Sequence, residues 1–282
     1  MRHLLLLILP SLVILSSAQA QQLWLNLDAG VANYDGELQD HRYTFMQSHP
    51  AVGLGVGYEF TPNINVSTEL LYTRISGSDQ YSRNIGNVER NLSFTTNILE
   101  WNVRGEYQLF DLEDRPWSPY AFLGLALFHF NPYAQDSLGR KTYLRPLSTE
   151  GEGIAGTGVS NYSLIQLAVP FGLGVRLALS ENVRVGLEFG LRKTFTGYLD
   201  DVRGNYADFA TLYNAKGQEA VNMAYREDQL PTHGNVSYPT AGTPRGRGKD
   251  DWYYITALRV SYRFGGAEYT TRKHLGCPKV PQ

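Results

Sequence analysis

The run Gly151-Glu152-Gly153-Ile154-Ala155-Gly156 has the spacing with which a glycine-rich loop cradles a pyrophosphate at the start of a helix. Its surroundings refuse that chemistry, because the run sits in a long connection, precedes a strand pattern and opens no helical one. A flexible outer loop is the expected state. The other residues of catalytic type are His41, His49, His129 and His233, with the acidic pairs Asp200-Asp201 and Asp250-Asp251. A nucleophile needs a base within hydrogen-bond reach and a third group that orients the base. The spacing of these residues brings no such set together, so they read as solvated loop residues. No catalytic or cofactor-binding residue is expected. No metal ligand is expected either: one cysteine cannot build a thiolate cluster, and no histidine pair has ligand spacing. The acidic stretches also lack the alternating pattern of a calcium loop.

That one cysteine, Cys277, lies beside a basic patch, Arg272-Lys273-His274, near the end of the chain. The other end explains why this is unusual. Arg2, an apolar run from Leu4 to about Leu15, and Ala18-Gln19-Ala20 form a secretory signal with a small-x-small cleavage site. An exported chain enters an oxidising compartment, where a thiol without an internal partner is either incidental or engaged with another molecule. The segment from Gly265 to Gln282 is therefore expected to dock a partner through Arg272, Lys273, His274 and Cys277. The expected organisation is a signal peptide over 1–20, one domain over 21–264 and a tail over 265–282.

The elements that must position these residues are strands. Eight stretches alternate apolar with small or polar residues at a period of two. They run over about 22–32, 52–60, 64–72, 99–109, 121–127, 166–177, 183–192 and 252–264. In the fourth, Leu99, Trp101, Val103, Gly105, Tyr107 and Leu109 stand against Glu100, Asn102, Arg104, Glu106 and Gln108. A slip of one residue would turn all that charge into the apolar face. Connections after the even strands are short and those after the odd strands run about 15 to 55 residues, as in barrels with short periplasmic turns and long extracellular loops. The chain carries 19 Tyr, 12 Phe and 28 Gly, which suits aromatic interface belts and a crowded inner wall. An all-β, eight-stranded antiparallel transmembrane β-barrel in a bacterial outer membrane is the expected fold, with membrane lipid as its outer contact. A net charge of −2 removes nucleic acid from the partners.

An interior of eight strands has room for little beyond its own side chains. The inward parity collects Asp28, Glu59, Glu69, Glu100, Glu106 and Glu188 against Arg104, Arg176, Arg184, Arg192 and Arg259. Unpaired charge in such a space is costly, so an interlocking ion-pair network is expected in place of a pore.

Two blocks carry a resemblance. Gln166-Leu-Ala-Val-Pro-Phe-Gly-Leu-Gly-Val-Arg176 and Asn182 to Val202 resemble the Bacteroidetes outer-membrane β-barrel family that includes PorG of the type IX secretion system. Pro119-Tyr120-Ala121-Phe122, Asp251-Trp252-Tyr253 and a cysteine-proline pair near the C-terminus agree with it. The resemblance implies a non-enzymatic structural component of the secretion apparatus, attached to a periplasmic ring of lipoprotein and partner subunits, with no cofactor and no small-molecule substrate. The residues alone leave open a surface barrel that binds extracellular ligands or partners through loops 131–161 and 196–250.

Overall fold

The computed structural model describes residues 23–39, 44, 47–231 and 237–264. The signal peptide and the tail from Gly265 to Gln282 lie outside them. Eight strands close into one antiparallel barrel: β1 (Leu23–Asp35), β2 (His49–Thr61), β3 (Ile64–Ser78), β4 (Ser93–Gln108), β5 (Trp117–Gln135), β7 (Ile165–Ala178), β8 (Val183–Thr194) and β9 (Trp252–Arg263). A short strand, β6 (Lys141–Tyr143), pairs only with the end of β5. Consecutive strands of the eight pair throughout, β7 joining β5 directly, and β9 returns to β1 through pairs such as Leu27–Val260 and Asp28–Arg259. No sheet edge is left in the barrel wall, which is the condition for strands in hydrocarbon.

The period-two pattern folds this way because each face has one acceptable environment. Outward Leu54, Leu70, Trp101, Leu125, Leu173 and Leu258 are each more than half exposed, while Asn26, Glu69, Glu100, Asn102 and Arg104 on the alternate positions are buried. Exposed Leu, Val, Trp and Tyr in an uninterrupted band are acceptable only against lipid. No helix among the described residues is long and apolar enough to cross a membrane. Leu125 lies opposite Val103 on the outward face. Leu125→Arg is expected to lower stability by about 2–4 kcal/mol if this position lies at mid-bilayer. Its effect is read as a shift of the urea midpoint in vesicles.

Most strands are longer than the alternation indicated, above all β5, because pairing continues toward the loops, while β9 keeps the expected extent. Among the described residues those loops contain three α-helices that periodicity did not reveal: α1 (Ile85–Arg90), α2 (Phe209–Lys216) and α3 (Gln218–Ala224). All three are too short for an apolar stripe to stand out against loop composition. One outward residue departs from expectation. Tyr254 is 6 % exposed, stacked against Phe189 at 6.2 Å, with its hydroxyl donating to Asp35.

Above the polar part of the lumen the interior becomes an apolar core. Phe128, Phe130, Ile98, Leu71, Ile75 and Phe94 fill it, and Leu199 and Val202 of the β8–β9 loop close it from outside.

Candidate functional site

Two assemblies of chemically active side chains are present, one in the lumen and one in the loops. In the lumen, Arg259 on β9 reaches across to other staves of the barrel. Its Nε and Nη2 donate to both oxygens of Asp28 at 2.8 Å, Nη2 also reaches Glu69, and Nη1 donates to Glu106 at 2.9 Å. Arg104 grips Glu188 with two bonds of 2.7 and 2.8 Å and donates to Glu106 at 3.1 Å. Two-pronged contacts of this kind fix position as well as charge. Arg176 adds a 2.6 Å bond to Glu106, and Arg184 pairs with Glu59 at 2.6 Å nearer the periplasmic mouth. Arg192 lies 3.5 Å from Glu100, which also accepts from the Tyr253 hydroxyl at 2.5 Å.

Rings lie against these guanidiniums. Arg104 sits 4.5 Å from the Phe122 centroid, Arg176 4.4 Å from Tyr120 and Arg184 3.9 Å from Trp24. The glycines of the inner wall make the space. A Cβ at Gly174 would lie 2.5 Å from the Tyr120 ring. The network therefore joins β1, β2, β3, β4, β7, β8 and β9 across the interior. Alternation alone shows which residues point inward; it contains nothing that says which carboxylate meets which guanidinium.

The loop assembly corrects the sequence expectation for the acidic pairs. Asp200, Asp201 and Asp251 are not solvated; none is more than 1 % exposed. Asp200 and Asp251 converge with Glu37 from the β1–β2 loop, their carboxylate oxygens lying within 4.8 Å of one another. The Tyr34 hydroxyl donates to Asp200 at 2.6 Å and reaches Asp251 at 3.2 Å. Backbone N–H groups of Val202, Leu199 and Arg247 donate to Asp200, Asp251 and Glu37. Burial pushes all three carboxyls above their usual range, and the charge of Glu37 adds to the rise at Asp200 and Asp251. Asp250 is half-buried, 3.3 Å from Arg203. Neither histidine in the described residues joins this group: His49 bonds Ser76 at 2.7 Å, and His129 is exposed on the outer face of β5. His41, His233, Arg272, Lys273, His274 and Cys277 lie outside the described residues.

The start of the glycine run is packed into the cap. Glu150 and Glu152 are buried, and Arg245 holds Glu150 from across the cap that the loops form. Arg245 donates to Glu150 at 3.2 Å and to the Asp201 carbonyl at 2.6 Å, while Arg90 donates to the Arg245 carbonyl and pairs with Asp79 at 2.7 Å. Asp201, at a left-handed φ of 63°, accepts from Thr149 and Tyr162, both at 2.6 Å. The Tyr162 ring stacks on Tyr198, centroids 4.5 Å apart and 8° from parallel. Sequence reading missed Glu37, Glu150, Arg90, Arg245, Tyr162 and Tyr198, whose partners are mostly dozens of residues away and leave no local spacing to read.

The cap should sense pH. Burial, with the charges of Asp201 and Glu150, pushes the Glu152 carboxyl up to about 8, and burial pushes Asp201 up to about 6. A carboxyl raised on folding stabilises the folded form fully below its ordinary range and loses that contribution as pH rises through the folded value. Cap protection, read as hydrogen-exchange protection factors at Gly151 and Ile154, is therefore expected to fall from pH 5 to pH 8. Glu152→Gln should reduce the slope between pH 6 and 8 by close to one proton, about 1.4 kcal/mol per unit. An unchanged slope would assign the effect elsewhere.

The cap also forms an open-sided cavity of about 540 Å³ between its two longest loops, lined by Glu150, Thr157, Tyr198, Asn205, Tyr206 and Asp208 among others.

Known proteins offer distant structural likenesses and one family. Among solved structures, Neisserial surface protein A is similar at 11 % identity and a TM-score of 0.42, over 86 % of this chain and 97 % of that one. A major outer membrane protein of Thermus thermophilus is similar at 13 % identity and TM-score 0.39, over 86 % and 99 %. The Escherichia coli outer membrane protease OmpT is similar at 8 % identity and TM-score 0.39, over 88 % and 98 %. None of their ligands or activities transfers to this chain at such likeness. No curated protein matches it. The family model for the outer membrane protein beta-barrel domain matches residues 4–218. With a closed barrel of eight strands banded in apolar residues, this chain belongs to the outer membrane protein β-barrel domain family and resides in the outer membrane.

Proposed function

We propose that this protein is a non-enzymatic structural component of the type IX secretion apparatus, holding a periplasmic ring of lipoprotein and partner subunits at the outer membrane. The observation that supports it best is the filled lumen. A barrel whose interior is crossed by Arg259 and Arg104 and then packed with Phe128 and Phe130 is suited to anchoring and not to conducting. The resemblance over 166–202 is what supports naming this assembly. A barrel cannot leave the bilayer without exposing its apolar band, so any contact on its periplasmic end fixes the partner at that surface. The tail residues Arg272, Lys273, His274 and Cys277 are the proposed contact.

Cross-linking of intact outer membranes, with and without reductant, tests this. Ring subunits should be attached to the full chain and lost when residues 265–282 are deleted. Retention of every co-purifying partner after the deletion would remove the docking role of the tail. In planar bilayers the purified barrel should show no porin-like conductance, since Arg259 with Asp28, Glu69 and Glu106 occupies the lumen at that level.

A second reading is a surface barrel that binds an extracellular ligand through its loops. The cavity in the cap favours it, because each of the two long loops contributes a wall to it.

A further inference from the structure

The cavity in the cap has a chemistry that narrows what it can hold. Its volume, about 540 Å³, lies within the range of small-molecule pockets. One wall comes from the segment around Glu150 to Val159, the other from Tyr198 to Thr211 with Ala241 and Gly242.

Charge is the first filter. No lysine or arginine lines the cavity, and the two guanidiniums near its walls are already paired, Arg245 with Glu150 and Arg203 with Asp250, so an anion meets no unengaged counter-charge there. The carboxylates are already engaged. Glu150 accepts the Arg203 and Gly204 N–H groups at 2.9 and 2.7 Å and pairs with Arg245 at 3.2 Å. Asp208 caps helix α2, accepting the Thr211 N–H at 2.8 Å and its hydroxyl at 2.7 Å. A cation would compete with those bonds and gain no unpaired acid. Uncharged ligands remain.

The second filter is the mixture of rings and hydrogen-bonding groups. Tyr198 is clamped by its stack on Tyr162, whose hydroxyl is itself tied to Asp201, so a rigid aromatic surface borders the cavity. Tyr206 is braced by Phe209 and Tyr225, centroids 6.0 Å away in each case. Between them, exposed Asn205 offers a carboxamide, with a donor and an acceptor, that bonds no described residue. Aromatic surfaces beside amide and carboxylate oxygens suit a ligand with apolar C–H faces and a rim of hydroxyls. A purely apolar ligand would strip these polar groups of water without replacing their bonds.

We infer that the cavity between the two long extracellular loops is a binding site for a short neutral oligosaccharide, with Tyr198 as the ring-facing surface, the buried Tyr206 as support for the wall beside it and Asn205 as a hydroxyl-binding group. This rests on the second reading above and names its ligand class. Tyr198 and Asn205 are binding residues here, with no chemical step assigned to them.

The test uses the full barrel refolded in detergent and a panel of maltotriose, chitotriose and mannotriose, followed by saturation-transfer NMR and calorimetry. At least one trisaccharide should bind saturably. Tyr198→Ala should weaken it by about tenfold or more, and Ala241→Trp, which fills the cavity from an exposed position, should do the same. Both variants should keep the wild-type mobility shift between unheated and heated gel samples, which separates lost binding from lost folding. Tri-lysine and a sulfated disaccharide serve as charged arms. If either binds with the same dependence on Tyr198 while the neutral sugars do not, the ligand class is wrong and the loop-binding reading stands. Saturable sugar binding indifferent to both substitutions would overturn the site. If no probe binds, the inference falls, and cells in which 196–250 is shortened to a turn, retaining all surface partners, would then remove the loop reading as well.

Discussion

Arg259→Ala is expected to cost the barrel about 3–5 kcal/mol, the penalty for removing one partner of a buried ion pair and leaving the others without compensation. Four carboxylates face this one guanidinium: Asp28 on β1, Glu69 on β3, Glu106 on β4 and, at 3.7 Å, Glu188 on β8, which keeps its two bonds from Arg104. Glu106 retains Arg104 and Arg176, so the uncompensated charge falls mainly on Asp28 and Glu69, which make no other ion pair among the described residues. Urea unfolding in detergent should show an earlier midpoint, and the heat-modifiable band should weaken. Arg259→Met combined with Asp28→Asn and Glu69→Gln should recover much of the loss, because the desolvation of all the charges disappears together. If Arg259→Ala unfolded at the wild-type midpoint, the lumen network would be ornament and not structure.

Gly172→Val is the second large effect, and it acts through shape alone. A Cβ at Gly172 would lie 2.2 Å from the Phe189 carbonyl oxygen and 2.8 Å from the Gly190 Cα, both backbone atoms of the neighbouring strand β8. Neither can yield without parting β7 from β8 next to the Phe171–Leu191 and Leu173–Phe189 pairs. The Phe122 ring, 2.7 Å from the same point, closes the remaining direction. Overpacking at such a site costs about 3 kcal/mol. The expected result is little or no folded band from a refolding reaction that converts the wild type. Gly156→Ala is the control, since nothing lies within 4 Å of its added carbon, although its positive φ of 89° brings a smaller strain. Equal yields from Gly172→Val and the wild type would contradict the packing of this inner wall.

Much of the architecture was legible in residue order because a barrel strand has only two faces and each is selected by its solvent. Leu99, Trp101 and Val103 against Glu100, Asn102 and Arg104 admit one orientation, and the same argument repeated along the chain yields the strand count and the closure. Strand ends were less legible. Once a strand rises above the bilayer its outer face meets water or a loop, and the alternation that marks it fades, as in the end of β5 that carries β6. The helices α1 to α3 escaped because one or two turns cannot display a period.

Alternation also made plain which side chains enter the lumen, since inward parity follows from position along a strand. It left the loops almost blank. Asp200, Asp201 and Asp251 read as water-facing, yet the folded cap buries them, Asp200 and Asp251 beside Glu37 and beneath Tyr34, because partners from distant segments supply the bonds that water would otherwise give. Sequence by itself determined the strands, their facing and the membrane that must surround them, since those depend on neighbours one or two residues away. Only the tertiary structure decided that Arg245 draws Glu150 and the Asp201 backbone together and that a cavity opens beside them, since contacts between loops are set by three-dimensional closure and have no period along the chain.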